Sequence, residues 1–246
     1  MEQVAAKSEM IEKLRKDILS LQGFRVPTDS QKVQFGLGSI EAAFPNGVFP
    51  TGAIHELISD NQENAAATTG FMAGLLSRTM QRGGVCVWIS SKRTVFPAAL
   101  KFFGVEPDRV IFIDVRNEKD LLWMVEEALK CQALATVVGE LQEINLTESR
   151  RLQLAVEQSR VTGLLHRHNP RNANTIAAVS RWRISALPST PGEDLPGMGF
   201  YRWYVELLKV RNGEPGSWQV QWSSGHFEHL SKPVSAAVET NLLQTA

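Results

Sequence analysis

The stretch from Gly52 to Phe71 (GAIHELISDNQENAAATTGF) has the outline of a strand, a polar loop and a helix start. That is the setting in which a phosphate-binding loop works. Such a loop, G-x-x-x-x-G-K-[ST], needs glycines so that backbone N–H groups can wrap the phosphates, and a lysine reaching the terminal ones. Here no glycine lies between Gly52 and Gly70, and no lysine between Lys32 and Lys92. Helix N-terminal amides alone make a weak anion site, and Asp60 and Glu63 repel an anion. Residues 59–64 therefore read as a solvated connector, not a working phosphate loop.

A second set of residues with chemical potential is the arginines. Residues 146–183 carry seven arginines against two acids, while 106–143 carry nine acids against four basic residues. Such asymmetry can build a basic face on a protein of zero net charge. Arg150, Arg151, Arg167, Arg171, Arg181 and Arg183 are the candidates for a nucleic-acid groove, because guanidinium binds phosphate bidentately. Equally open is a structural role, with Arg150 and Arg151 paired to Glu148 or Glu140. Trp182, Trp203, Trp218 and Trp222 lie on strand-like segments, where sheet packing is favoured over a base-stacking platform. None of the five histidines stands in a nucleophile-elbow or zinc motif, and the two cysteines form no CxxC pair. No catalytic residue, metal site or cofactor is expected.

The elements that must hold these residues are regular. The composition, 43% hydrophobic and 21% charged in 246 residues, is that of an ordinary globular protein. No apolar run is long enough to span a bilayer and the N-terminus is not a signal peptide, so a cytoplasmic protein with buried, reduced thiols is expected. Residues 3–22 read as an amphipathic helix, with Ile11, Leu14, Ile18 and Leu21 as a candidate partner-binding stripe. Short apolar strands over 53–58, 85–89, 110–115, 135–138 and 162–165 alternate with helices over 64–82, 96–103, 118–131 and 149–160. This alternation means βαβ units and a parallel sheet covered on both faces. Long alternating strands over 178–187 and 200–210, then 217–222, read as an antiparallel hairpin extending that sheet. Three segments follow: an N-terminal helix and linker (1–34), a core domain (35–232) and a C-terminal tail (233–246).

This order of elements resembles the RecA-like ATPase core. The match rests on Gly52-Ala53-Ile54-His55-Glu56-Leu57 and on the unit from Gly84 to Val105, whose Pro97 and Gly104-Val105 fall on the family's own Pro and Gly-Val. Within that class, His55-Glu56, Gly139-Glu140-Leu141, the run from Leu146 to Ala155 and Arg181-Trp182-Arg183-Ile184 resemble the ImuA family. The resemblance implies a mostly parallel central sheet flanked by helices. On the RecA pattern the P-loop Lys-Thr falls near Thr68-Thr69 and its second Gly near Ala67. The glutamate that orients the attacking water is replaced by Lys92, which is cationic and donor-only. Glu140 lies on the carboxylate that holds Mg²⁺. One intact part of three does not make an ATPase.

The resemblance to ImuA implies a RecA-like accessory of damage-induced, error-prone translesion synthesis. Its partners would be the Y-family polymerase-like ImuB and an error-prone DnaE-type polymerase, with RecA, DNA and self-association left open. Two alternatives remain: a divergent DNA-dependent ATPase of the RecA class, and a cell-division inhibitor like SulA, which also resembles a RecA core without ATPase motifs.

Overall fold

A computed structural model describes Met10, Leu14 and residues 35–81, 83–172, 174–189 and 199–230. Nine strands form one sheet: β1 (Ile54–Ser59), β2 (Val85–Ser90), β3 (Val110–Asp114), β4 (Leu134–Leu141), β5 (Thr162–His168), β6 (Ser180–Leu187), β7 (Tyr201–Val210), β8 (Gly216–Ser223) and β9 (His226–His229). Their order is β3-β2-β4-β5-β1-β6-β7-β8-β9. The first six are mutually parallel, and β7 to β9 continue the sheet antiparallel. The central strand β1 is buried at every residue, as a strand covered on both faces must be.

Among the described residues, three α-helices cover the sheet: α1 (Gln62–Met80), α2 (Glu118–Lys130) and α3 (Leu146–Ser159). Each starts on an asparagine whose side chain accepts a hydrogen bond from an otherwise orphaned amide: Asn61, Asn117 and Asn145. At α3, Glu148 returns a bond to the Asn145 amide, completing a capping box. The core is split by the sheet. α1 packs with Trp88, Trp182, Trp203, Trp222 and Phe227 on one face, while α2 and α3 pack with Ile54, Ile89, Val137 and Leu165 on the other. The tryptophans named here are thus packing residues, buried to 4% exposure or less.

Several elements differ from the sequence expectation. β4 and β5 run three residues further, to Leu141 and His168, and the segment read as a helix over 96–103 is a 3-10 helix, Pro97–Phe103. The C-terminal extension is three antiparallel strands, because β9 adds to the expected hairpin. Cys86 is buried, and burial pushes its thiol pKa up, but Cys131 is exposed just past α2. The tail over 233–246 lies outside the described residues.

Two polar clusters lock β1 in place. On the α1 face His55 is fully buried against Phe49, their rings stacked at 4.3 Å. Its Nε2 is 2.7 Å from the carbonyl of Pro50, which only accepts, so Nε2 carries the proton. Nδ1 then accepts from the Ser180 hydroxyl at 2.6 Å, and Ser180 accepts from the Trp182 indole at 2.7 Å. Burial keeps this imidazole neutral, its pKa pushed down to about 4.

On the opposite face Glu56 is 1% exposed and bridges two arginines. Its Oε1 is 2.8 Å from Arg167 and its Oε2 2.6 Å from Arg181. Arg181 is the register partner of Glu56 across β1 and β6, and Arg167 lies one pleat beyond its partner on β5. The remaining Arg167 donors go to the Gln142 and Asn172 carbonyls and to Glu143. Arg181 also donates to the Asn174 carbonyl. The charges are balanced and the donors occupied, which is what makes ion burial tolerable.

Two consequences are measurable. Removing one member strands a buried charge, so Arg167→Met is expected to lose about 3–5 kcal/mol in urea unfolding, and the triple replacement Glu56→Leu/Arg167→Met/Arg181→Leu to recover most of it. A cost below about 1 kcal/mol for Arg167→Met would mean that the cluster does not hold the sheet. In mid-helix α1, a Cβ at Gly74 would lie 2.5 Å from the Phe227 ring and 3.0 Å from Trp222. Gly74→Ala should therefore destabilise by roughly 1–2 kcal/mol, overpacking outweighing the gain in helix propensity.

Candidate functional site

In open α/β sheets the ligand site lies beyond the carboxyl ends of the strands, where strand order switches. In this chain that edge carries a cavity of about 980 Å³. It is bounded by the first turns of α1, the 3-10 helix and the ends of β6 and β7. Phe96, Phe103, Tyr201 and Trp203 contribute an aromatic wall, and Glu63, Glu118, Glu140, Lys92, Arg202 and His168 contribute charge or polarity.

The helix that would cradle phosphate is built differently here. Only Asp60 and Asn61 separate β1 from α1. The Asn61 side chain accepts the Asn64 amide at 2.8 Å, and its carbonyl accepts the Ala65 amide at 2.9 Å. Thr68 and Thr69, expected near the phosphate-loop Lys-Thr, are the seventh and eighth residues of α1, well past its first turn. Ala67 and Thr68 are buried, while Thr69 faces the cavity. Lys92 is exposed on the cavity rim just beyond β2.

Glu140 is buried on β4, 5% exposed, with Oε1 accepting the Trp88 indole N–H at 2.9 Å. Directly across on β5 is its register partner His166, followed at the next inward position by His168. The two imidazoles lie 3.8 Å apart between ring centres, and His168 Nε2 is 3.7 Å from Glu140 Oε2. His166 is fully buried, and burial first, then the nearby His168, holds its pKa well below the usual histidine range.

The proton placement on His166 follows from its neighbours. Thr68 Oγ1 donates to the Asn64 carbonyl at 2.7 Å and so accepts from the Ser59 hydroxyl at 3.3 Å. With its own proton spent, Ser59 accepts from His166 Nε2. The neutral ring therefore bears its proton on Nε2 and a lone pair on Nδ1. Among the described residues neither His166 Nδ1 nor His168 Nε2 has a hydrogen-bond partner.

The arginine candidates separate. Arg167 is fully buried and Arg181 mostly so, both bound to Glu56, and theirs is a structural role instead of a nucleic-acid contact. Arg151 pairs with Glu126 and Arg183 with Asp60 at 3.2 Å. Arg150 and Arg171 are exposed. Of the N-terminal stripe, Leu14 is helical and 54% exposed, while Ile11, Ile18 and Leu21 lie outside the described residues. His166 and His168 were missed because β5 was expected to end at Leu165. The available signal was the His-x-His spacing itself, which on a strand places both rings on one face.

No family model matches the chain. It is 37% identical over 226 residues to Protein ImuA of Caulobacter vibrioides, in both strain NA1000 / CB15N and strain ATCC 19089 / CIP 103742 / CB 15, covering 87% of this chain and 92% of the relative. Protein RecA of Mesomycoplasma hyopneumoniae (strain 7448) is 23% identical over 84% of this chain and 64% of its own length. Among solved structures, the crystal structure of the RadB recombinase superposes with a TM-score of 0.58 at 14% identity, covering 80% of this chain and 99% of that one. The last likeness shows a recombinase-type fold, and the extent and identity of the first assign the chain to the ImuA family.

Proposed function

We propose that this chain is a non-catalytic RecA-like adaptor of damage-induced translesion synthesis, joining a Y-family polymerase-like ImuB partner to an error-prone DnaE-type polymerase. The observation that carries the non-catalytic part is the start of α1. Asn61 already caps the helix, residues 53–69 contain neither glycine nor lysine, and the hydroxyls of Ser59 and Thr68 are spent on a hydrogen-bond chain. Catalysis of phosphoryl transfer is almost entirely positioning and charge stabilisation. Beside the start of α1 the cavity is lined by Glu63, and its cations, Lys92 and Arg202, come from other elements.

A protein of this kind acts through its surfaces. The exposed Leu14 on a helical segment suits docking of an apolar helix face into a partner groove, a common recognition mode. Arg150, Arg151 and Arg171 are the exposed members of the arginine set; Arg151 is engaged by Glu126, and Arg150 and Arg171 suit an accessory DNA contact. Family membership favours the mutagenesis partners over the cell-division target that the SulA alternative would require.

Three measurements test the proposal. Titration with a fluorescent ATP analogue should show no saturable binding at millimolar nucleotide, and DNA should stimulate no hydrolysis. Turnover that disappears in Glu140→Ala would overturn the non-catalytic reading. Co-purification with the ImuB-type partner should fall roughly tenfold or more in Leu14→Asp, the scale of one lost buried leucine. Full retention by Leu14→Asp, with an unchanged unfolding midpoint, would remove the N-terminal helix from the interface.

A further inference from the structure

We propose that Glu140, His166 and His168 form a binding site for a zinc-class divalent ion. The site shares Glu140 with the carboxylate position of the RecA pattern, takes its other two ligands from β5, and does not depend on which partners the protein joins. Its geometry comes from strand register. Residues 166 and 168 project from the same face of β5, and Glu140 is paired directly with His166 on β4. One ligand atom from each residue lies within 4.8 Å of the others.

Three further observations point to a ligand. First, the buried His166 Nδ1 has no hydrogen-bond partner among the described residues, and the direction of the Ser59–Thr68–Asn64 chain leaves its lone pair free. A buried polar atom without a partner is costly and calls for an explanation. Second, the other atoms of the would-be ligands are already held. His166 donates its Nε2 proton to Ser59, and Glu140 Oε1 accepts from Trp88, which leaves Nδ1 and Oε2 to bind. Such outer hydrogen bonds are what orient imidazole and carboxylate ligands in protein metal sites. Third, Glu140 and His168 line the cavity, so an ion there has an entry path and an open fourth position.

Two imidazoles and one carboxylate are a donor set that zinc accepts with a fourth position left for water or another ligand. Bonds of about 2.1 Å in a tetrahedron place ligand atoms roughly 3.4 Å apart. The His168–Glu140 separation of 3.7 Å is close to that already. The rest of the closure falls to a rotation of the half-buried His168 ring, which lines the cavity. An ion held there would tie the carboxyl ends of β4 and β5 together and place positive charge at the floor of the cavity.

The test uses the full chain, stripped with chelator and titrated with Zn²⁺ and with Co²⁺. One equivalent of Zn²⁺ should bind and raise the thermal midpoint, and Co²⁺ should give the visible absorption of a tetrahedral site. His168→Ala and Glu140→Gln should weaken binding by about 100-fold or more and abolish that absorption. Trp88→Phe, which removes the indole donor and keeps an aromatic ring in the core, should weaken it roughly 10- to 100-fold while keeping the spectrum. His226→Ala, at the surface pair with Glu228, should change nothing. Absence of binding by the wild type would overturn the proposal. So would undiminished Zn²⁺ affinity in correctly folded His168→Ala and Glu140→Gln.

Discussion

The buried bridge from Glu56 to Arg167 and Arg181 is the constraint on which the rest of this edge of the molecule depends. It crosses three adjacent strands, β5, β1 and β6, with Glu56 and Arg167 fully buried. Because its donors must all be satisfied, it also fixes the connections around it, through the carbonyls of Gln142, Asn172 and Asn174. Alternation along a strand then does the remaining work. With Arg167 committed to one face, His166 and His168 must point to the other, toward α1 and the cavity. A structural ion cluster on one side of the sheet thereby sets which face of β5 the two histidines occupy.

Much of the architecture was legible because it is carried by periodicity. Apolar runs such as Val85–Ser90 and the helical pattern of α2 announce themselves, and their alternation predicts a parallel sheet. The misreadings share a physical cause. β4 and β5 end in Gly-Glu-Leu and His-Arg-His, residues that look like loop when burial is judged by polarity. They stay in the sheet because Glu140, His166 and Arg167 find buried partners, information that lies more than a hundred residues away for Glu56 and Arg167. β9 was missed for a related reason. Its four residues, HFEH, carry one apolar side chain, and that side chain matters only because Gly74 on α1 leaves room for it.

The candidate site was half legible. Counting glycines and lysines was enough to question the phosphate loop, since that chemistry depends on residue type along one short segment. Placing Thr68 and Thr69 was harder, because the resemblance to the RecA pattern carries no knowledge that α1 begins at Gln62, directly behind an asparagine cap. The arginines illustrate the opposite difficulty. Seven of them in one segment suggest a basic face, yet Arg167 and Arg181 are consumed internally. A local charge count cannot see a single glutamate at position 56 that neutralises two of them.

The electrostatics of the cavity follow from these placements. A nucleotide triphosphate at this edge would need cationic groups and unspent amides at the helix start, and the charge met at the deepest point is instead the Glu140 carboxylate. Exposed charges on the rim, such as Lys92, act through water and salt and count for less than a carboxylate that is almost fully buried. That carboxylate receives one hydrogen bond from Trp88 and faces two imidazoles. The topology that in recombinase-type folds brings strand ends together around an anion here assembles donors of lone pairs. A floor of that composition disfavours phosphate and suits a cation.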